Sequence, residues 1–160
     1  MTDKADEPAL TDAVQAVIEA LSCFTPDDET DNVWRLYQLF EGFGELPHRE
    51  AAMPAMFALM ERWPDAELGS PGPLVQELEA IAGYEPLLAE SVLRQPTDLT
   101  VWMLNRILNA LPEGSDHALW LARLQAASTH AKAPDFVRES AQHFLLHQRD
   151  GAPGHGADDH

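Results

Sequence analysis

The sequence predicts an all-α protein, and three observations carry that prediction. Apolar residues recur at helical spacing in eight separate segments. Between those segments stand proline, glycine, serine and threonine, which end one helix and cap the next. No run of β-branched residues alternates at period two, so no strand signal competes. Short helices on brief connections favour antiparallel neighbours. The expected architecture is therefore a stack of about eight short helices as antiparallel helical hairpins, with degenerate repeats. A chain of 160 residues fits a single domain, expected over residues 11–149.

In chain order, residues 1–10 are polar and expected to fray. Thr11 or Asp12 caps the first helix, where Val14, Val17, Ile18 and Leu21 share a face, and Phe24-Thr25-Pro26 stops it. Asp27 to Asp31 is a loop with four acids in five residues. Thr30 or Asp31 caps the second helix, with Val33, Leu36, Tyr37 and Phe40 on one face, Trp34, Leu39 and Phe43 alongside, and Gly42 and Gly44 as stop signals. Pro47 can open the third helix, which carries Met53, Met56, Phe57 and Met60. Pro54 inside that run implies a kink or a later start. Trp63-Pro64 ends it.

Ser70 is read as the cap of the fourth helix and Pro71 as its first-turn proline. Leu74, Val75, Leu78 and Ile81 follow, closed by Gly83. The fifth helix begins near Glu85, carries Leu87, Leu88 and Val92, and stops before Pro96. The sixth is the clearest. Thr97 is its N-cap, Asp98 suits the positive helix start, and Val101, Leu104, Leu108 and Leu111 recur on one stripe that Trp102 and Ile107 widen. Ser115 caps a seventh with Leu119, Trp120, Leu121 and Leu124, and Pro134 opens an eighth with Phe136, Val137, Phe144 and Leu145. From 150 to 160 the chain is a Gly, Ala, Pro, His and Asp tail, expected to be disordered.

The charge excludes whole classes of partner. There are 27 acidic and 10 basic side chains, a net of −17. Such a surface repels nucleic acid and anionic lipid, and it speeds encounter with a basic protein. The excess is uneven: residues 1–80 hold 17 acids and four bases, residues 81–160 ten acids and six bases. No apolar run is long enough to span a bilayer, and the acidic start lacks the apolar core of a secretory signal. One cysteine, Cys23, suits a reducing compartment. Together these predict a cytoplasmic protein of bacterial type.

Catalytic and metal chemistry finds little footing, and no cofactor and no enzyme activity are expected. His143 and His147 have the i, i+4 spacing of a metal pair, but no third ligand stands near them. Glu77 and Glu79 face different ways on a helix. Asp27, Asp28 and Glu29 read as a solvated loop. Cys23 has no basic neighbour to lower its thiol pKa and reads as a core or boundary residue. Gly69-Ser70-Pro71-Gly72 lacks the lysine and the preceding strand of a phosphate loop. Asn105 and Asn109 lie one turn apart on an apolar helix and are expected to bond the backbone of neighbouring helices. Arg106 beside them can reach an acid on a neighbour.

The run Glu67 to Leu74, then Gly83-Tyr84, Leu87-Leu88, Arg94-Gln95-Pro96-Thr97 and Thr100 to Asn109 resembles small all-α, HEAT-like immunity proteins of bacterial polymorphic-toxin systems. The likeness covers the centre of the chain, and its most specific part is the Trp102-Met103-Leu104-Asn105-Arg106-Ile107-Leu108-Asn109 core. It implies a non-enzymatic inhibitor that binds a cognate toxin in the producing cell. An acidic inhibitor suits a basic, nuclease-type toxin, whose phosphate-binding surface it can occupy. The expected contact residues are Asp27, Asp28, Glu29 and Asp31, then Glu61, Asp65 and Glu67. Trp102, Asn105, Arg106 and Asn109 are the structural motif. The competing expectation is an acidic helical-repeat adaptor or chaperone for another basic protein. A third, a metal-dependent enzyme on a helical scaffold, requires stoichiometric metal.

Overall fold

The structure is a computed structural model that describes residues 11–150. Residues 1–10, expected to fray, and residues 151–160 of the expected tail lie outside the described residues, while Asp150, assigned to that tail, is the last residue of a helix. Those described hold eight α-helices and no strand: α1 Asp12–Cys23, α2 Asn32–Leu39, α3 Met53–Arg62, α4 Gly72–Glu79, α5 Tyr84–Arg94, α6 Asp98–Ala110, α7 Ser115–Ser128 and α8 Asp135–Asp150. Two 3₁₀ turns, Phe43–Glu45 and Arg49–Ala52, lie between α2 and α3. The fold is all-α. The chain groups into two compact units, one running to Leu87 and the other starting at Leu88, with the boundary inside α5. The sequence reading treats residues 11–149 as one domain.

In the first unit, α1 packs on α3 and on the 3₁₀ turn before it, while α4 packs on both α2 and α3. Thr11 caps α1, its hydroxyl accepting the Val14 N–H at 3.1 Å, and Asp31 caps α2, accepting the Trp34 N–H at 3.0 Å. Val14, Leu21, Leu36, Met56, Phe57, Leu59, Met60, Leu74, Val75 and Leu78 form the core, and Phe40 meets Phe43 edge-on with ring centroids 5.2 Å apart.

Several sequence expectations resolve here. Pro54 sits in the first turn of α3, so the helix starts late and is not kinked. The segment after Pro47 is a 3₁₀ turn and not the first turn of α3. Ser70 makes no capping bond, because α4 starts at Gly72 and its first-turn proline is Pro73, not Pro71. Gly69, at φ +132°, closes this turn so tightly that a Cβ there would stand 2.3 Å from the Gly72 Cα.

In the second unit, α6, α7 and α8 each pack against the other two. The start of α6 is a reciprocal capping box: Thr97 Oγ1 accepts the Thr100 N–H at 3.1 Å, and Thr100 Oγ1 accepts the Thr97 N–H at 3.0 Å. Leu99, Val101, Met103, Leu104 and Leu108 are buried on this helix, with Leu124, Val137 and Ala141 facing them from the same core. α7 starts one residue earlier than Ser115 as a cap requires. The Ala118 N–H bonds the Gly114 carbonyl at 3.0 Å, which makes Gly114 the cap position and Ser115 the first helical residue. Leu119 and Phe136, expected to pack, are exposed.

Candidate partner-binding surface

The acidic loop is fixed from within. Arg35, half-buried in the first turn of α2, lies over the Phe24 ring at 4.2 Å and donates from Nη1 to the Thr25 carbonyl at 3.0 Å and to Asn32 Oδ1 at 2.9 Å. Asn32 Oδ1 also accepts the Asp27 N–H at 2.9 Å, and Asp27 Oδ1 accepts the Glu29 N–H at 2.8 Å. Asp27 therefore shapes the turn and Asp31 caps the helix. These two of the four predicted contact acids have structural work of their own. Asp28 and Glu29 stand exposed between them.

Trp34 and Tyr37 follow on α2, one turn apart, and they are 57% and 47% exposed. This corrects the expectation that both pack inward. Leu36 and Phe40 take the buried face, and Trp34, two positions from Leu36, lies about 200° around the helix from it. Tyr37 is steadied at its far end, with its hydroxyl 3.3 Å from Gln76 Oε1. The loop and the exposed face of α2 thus join bare carboxylates to two large aromatic side chains, the residue types that most often anchor protein interfaces.

The second predicted group is brought near the first. Arg62 Nη2 donates to the Leu21 carbonyl at 2.9 Å, tying the last turn of α3 to the last turn of α1. The loops that leave these two helices therefore start from one place. One carries Asp27 to Asp31; the other carries Asp65 and Glu67, both exposed. Glu61, in the last turn of α3, is half-buried. Two helix C-termini point here as well, and their partial negative charge adds to that of the carboxylates.

The first unit's arginines are tied to its backbone. Among the described residues the first unit holds 15 acids and three bases, a net of −12. All three bases donate to backbone carbonyls: Arg35 to Thr25, Arg62 to Leu21, and Arg49 to Gly44 at 2.7 Å and Ala80 at 3.2 Å. Arg49 also faces Glu77, whose carboxyl is pushed above the usual range by burial and partly drawn back by that guanidinium.

The remaining predicted residues sit elsewhere. Trp102 carries the Arg106 guanidinium over its ring at 5.3 Å. The Nε2 of Gln148 on α8 donates to Asn105 Oδ1 at 2.7 Å and to Asn109 Oδ1 at 2.8 Å. The partner of the two asparagines is thus a side-chain amide and not the backbone expected from the sequence. His143 is exposed beside Phe144, and no group of three or more metal-ligating side chains occurs among the described residues. Cys23 is exposed and not in the core.

Sequence reasoning missed the outward turn of Trp34 and Tyr37, although the spacing of Leu36, Phe40 and Phe43 contained the signal. No helix among the described residues is long and apolar enough to cross a membrane. No family model matches the chain, and neither does any curated protein or solved structure.

Proposed function

We propose that this chain is an immunity protein that neutralises a basic, nuclease-type toxin by covering its surface with the first unit. The observation that carries this reading is the charge segregation: the first unit's described residues hold 15 acids against three bases, and each of those bases donates to the unit's own carbonyls. Solubility alone does not call for such segregation, because the second unit folds the same kind of helices near neutrality. The exposed Trp34 and Tyr37 supply the desolvated anchors that carboxylates alone lack. The carboxylates set the encounter rate and the aromatics set the dissociation rate.

The experiment is capture of the native partner from the producing cell, its identification by mass, and rate measurements on the purified pair. Asp28→Lys with Glu29→Lys leaves the turn-forming Asp27 and the capping Asp31 in place. It is expected to lower the association rate about tenfold at low salt and to flatten its salt dependence. Trp34→Ala is expected to raise the dissociation rate instead. A toxin reading further requires that the captured protein lose enzymatic activity on binding. A partner without such activity identifies an adaptor, and unchanged rates in both variants place the contact elsewhere.

A further inference from the structure

The second unit carries a groove of about 220 Å³ to which α5 contributes Glu90, Val92 and Leu93, while α7 and the turn after it contribute Arg123, Ala126 and His130. It is smaller than the roughly 300–1,000 Å³ of a typical small-molecule site and suits one apolar side chain. Leu93 on its rim is 72% exposed, and Leu119, one turn before Arg123 on α7, is 51% exposed.

Three polar side chains line it: Glu90 is exposed, His130 has both ring nitrogens bonded, and Arg123 has no carboxylate partner among the described residues. His130 Nδ1 accepts the Lys132 N–H at 3.1 Å, which leaves Nε2–H to donate to the Leu93 carbonyl at 2.7 Å. Both ring nitrogens are used, so the imidazole is a wall. Arg123 is half-buried with its guanidinium carbon over the Trp120 ring, 4.5 Å from the centroid, and it bonds no carboxylate among the described residues. That is notable in a chain with 27 acids and 10 bases. A guanidinium over an indole face keeps N–H donors for an anion, and this one lines an apolar slot.

We infer that the groove docks a partner polypeptide through an apolar side chain with a carboxylate beside it. The side chain lies between Leu93 and Ala126, and the carboxylate accepts from Arg123. Glu90, on the α5 wall, repels a carboxylate from that side and so fixes the direction in which the segment lies. The chemistry wanted here is the opposite of what the first unit attracts, so the groove does not depend on the toxin reading.

The test is an NMR titration of the full chain with two probes, N-acetyl-leucine and N-acetyl-leucinamide, which share the side chain and differ in the carboxylate. N-acetyl-leucine is expected to shift the Leu93, Ala126 and His130 amide signals saturably, binding about fivefold more tightly than the amide. Arg123→Gln is expected to abolish that difference. Leu93→Ala, at an exposed position that folding does not need, is expected to weaken both probes and keep their ratio. Equal binding of the two probes to the natural chain, or no saturable shift of these signals, overturns the inference. So does a concentration-dependent dimer in sedimentation that Arg123→Gln dissolves, because a second copy would then be the occupant.

Discussion

The two units are built from the same kind of short helix and carry unlike charge. Among the described residues the first has 15 acids and three bases, the second seven acids and six bases. Their internal ties differ in the same sense. The first unit closes its loops with guanidinium groups on carbonyls, at Arg35, Arg49 and Arg62. The second relies chiefly on neutral groups: the Thr97–Thr100 box, Gln148 on two asparagines, Gln142 on the Ser128 carbonyl at 3.2 Å and Gln95 on the Lys132 carbonyl at 2.8 Å. Arg138 repeats the first unit's device, on the His130 and Ala133 carbonyls. The comparison teaches that a helical unit of this type folds without excess negative charge. The first unit's surplus therefore calls for a cause outside folding.

If the units share one folding logic, truncating either core should cost alike. Phe57 is 1% exposed in the first unit and Leu104 fully buried in the second. Phe57→Ala is expected to cost about 3–5 kcal/mol and Leu104→Ala about 2–5 kcal/mol in urea unfolding. A surface-like cost in one unit, below about 0.5 kcal/mol, would break the parallel.

The fold was legible where one physical signal acted alone. Thr97 was readable as a cap because a hydroxyl before an apolar period has few other uses, whereas Thr30 and Asp31 competed for the start of α2 and the structure selects Asp31. Ser70 misled because Pro71 and Pro73 both offer a first-turn proline, and only the turn at Gly69 decides between them. The acidic loop was visible as composition. Its internal division was not, because the bonds from Asp27 to Glu29 and from Asp31 to Trp34 depend on backbone geometry. The groove was invisible for a further reason: Leu93 and Arg123 stand far apart in the chain and meet only through packing.

Caps sharpen the comparison at smaller amplitude. Thr97→Ala removes a buried reciprocal box and is expected to cost about 1–2 kcal/mol. Asp31→Ala removes an exposed cap in a unit with surplus negative charge, so water replaces part of the bond and relief of repulsion offsets more. Its cost is expected near 0.5–1 kcal/mol at low salt, and it should grow as added salt screens the repulsion. Thermal unfolding of the two variants across a salt series measures this. An Asp31→Ala cost that falls with salt would mean that the first unit's acids do not repel one another appreciably.

The smallest effect belongs to Glu77 in the first unit. Its carboxyl is raised above the ordinary value of 4.5 by burial, and the Arg49 charge opposes that shift without cancelling it. A raised carboxyl holds its proton more tightly in the folded than in the unfolded chain. Its favourable contribution is complete below pH 4.5 and is lost as pH rises through the folded value. At neutral pH the buried carboxylate therefore weakens the unit, and Glu77→Gln is expected to stabilise it there. The gain should shrink as pH falls through the folded value and vanish below 4.5, where the natural side chain is protonated in both states. Urea midpoints for the two proteins, measured from pH 7 to pH 4, trace the difference. A loss of stability on Glu77→Gln at neutral pH would mean that attraction to Arg49 outweighs desolvation. The first unit would then hold at least one carboxylate for its own folding and not for a partner.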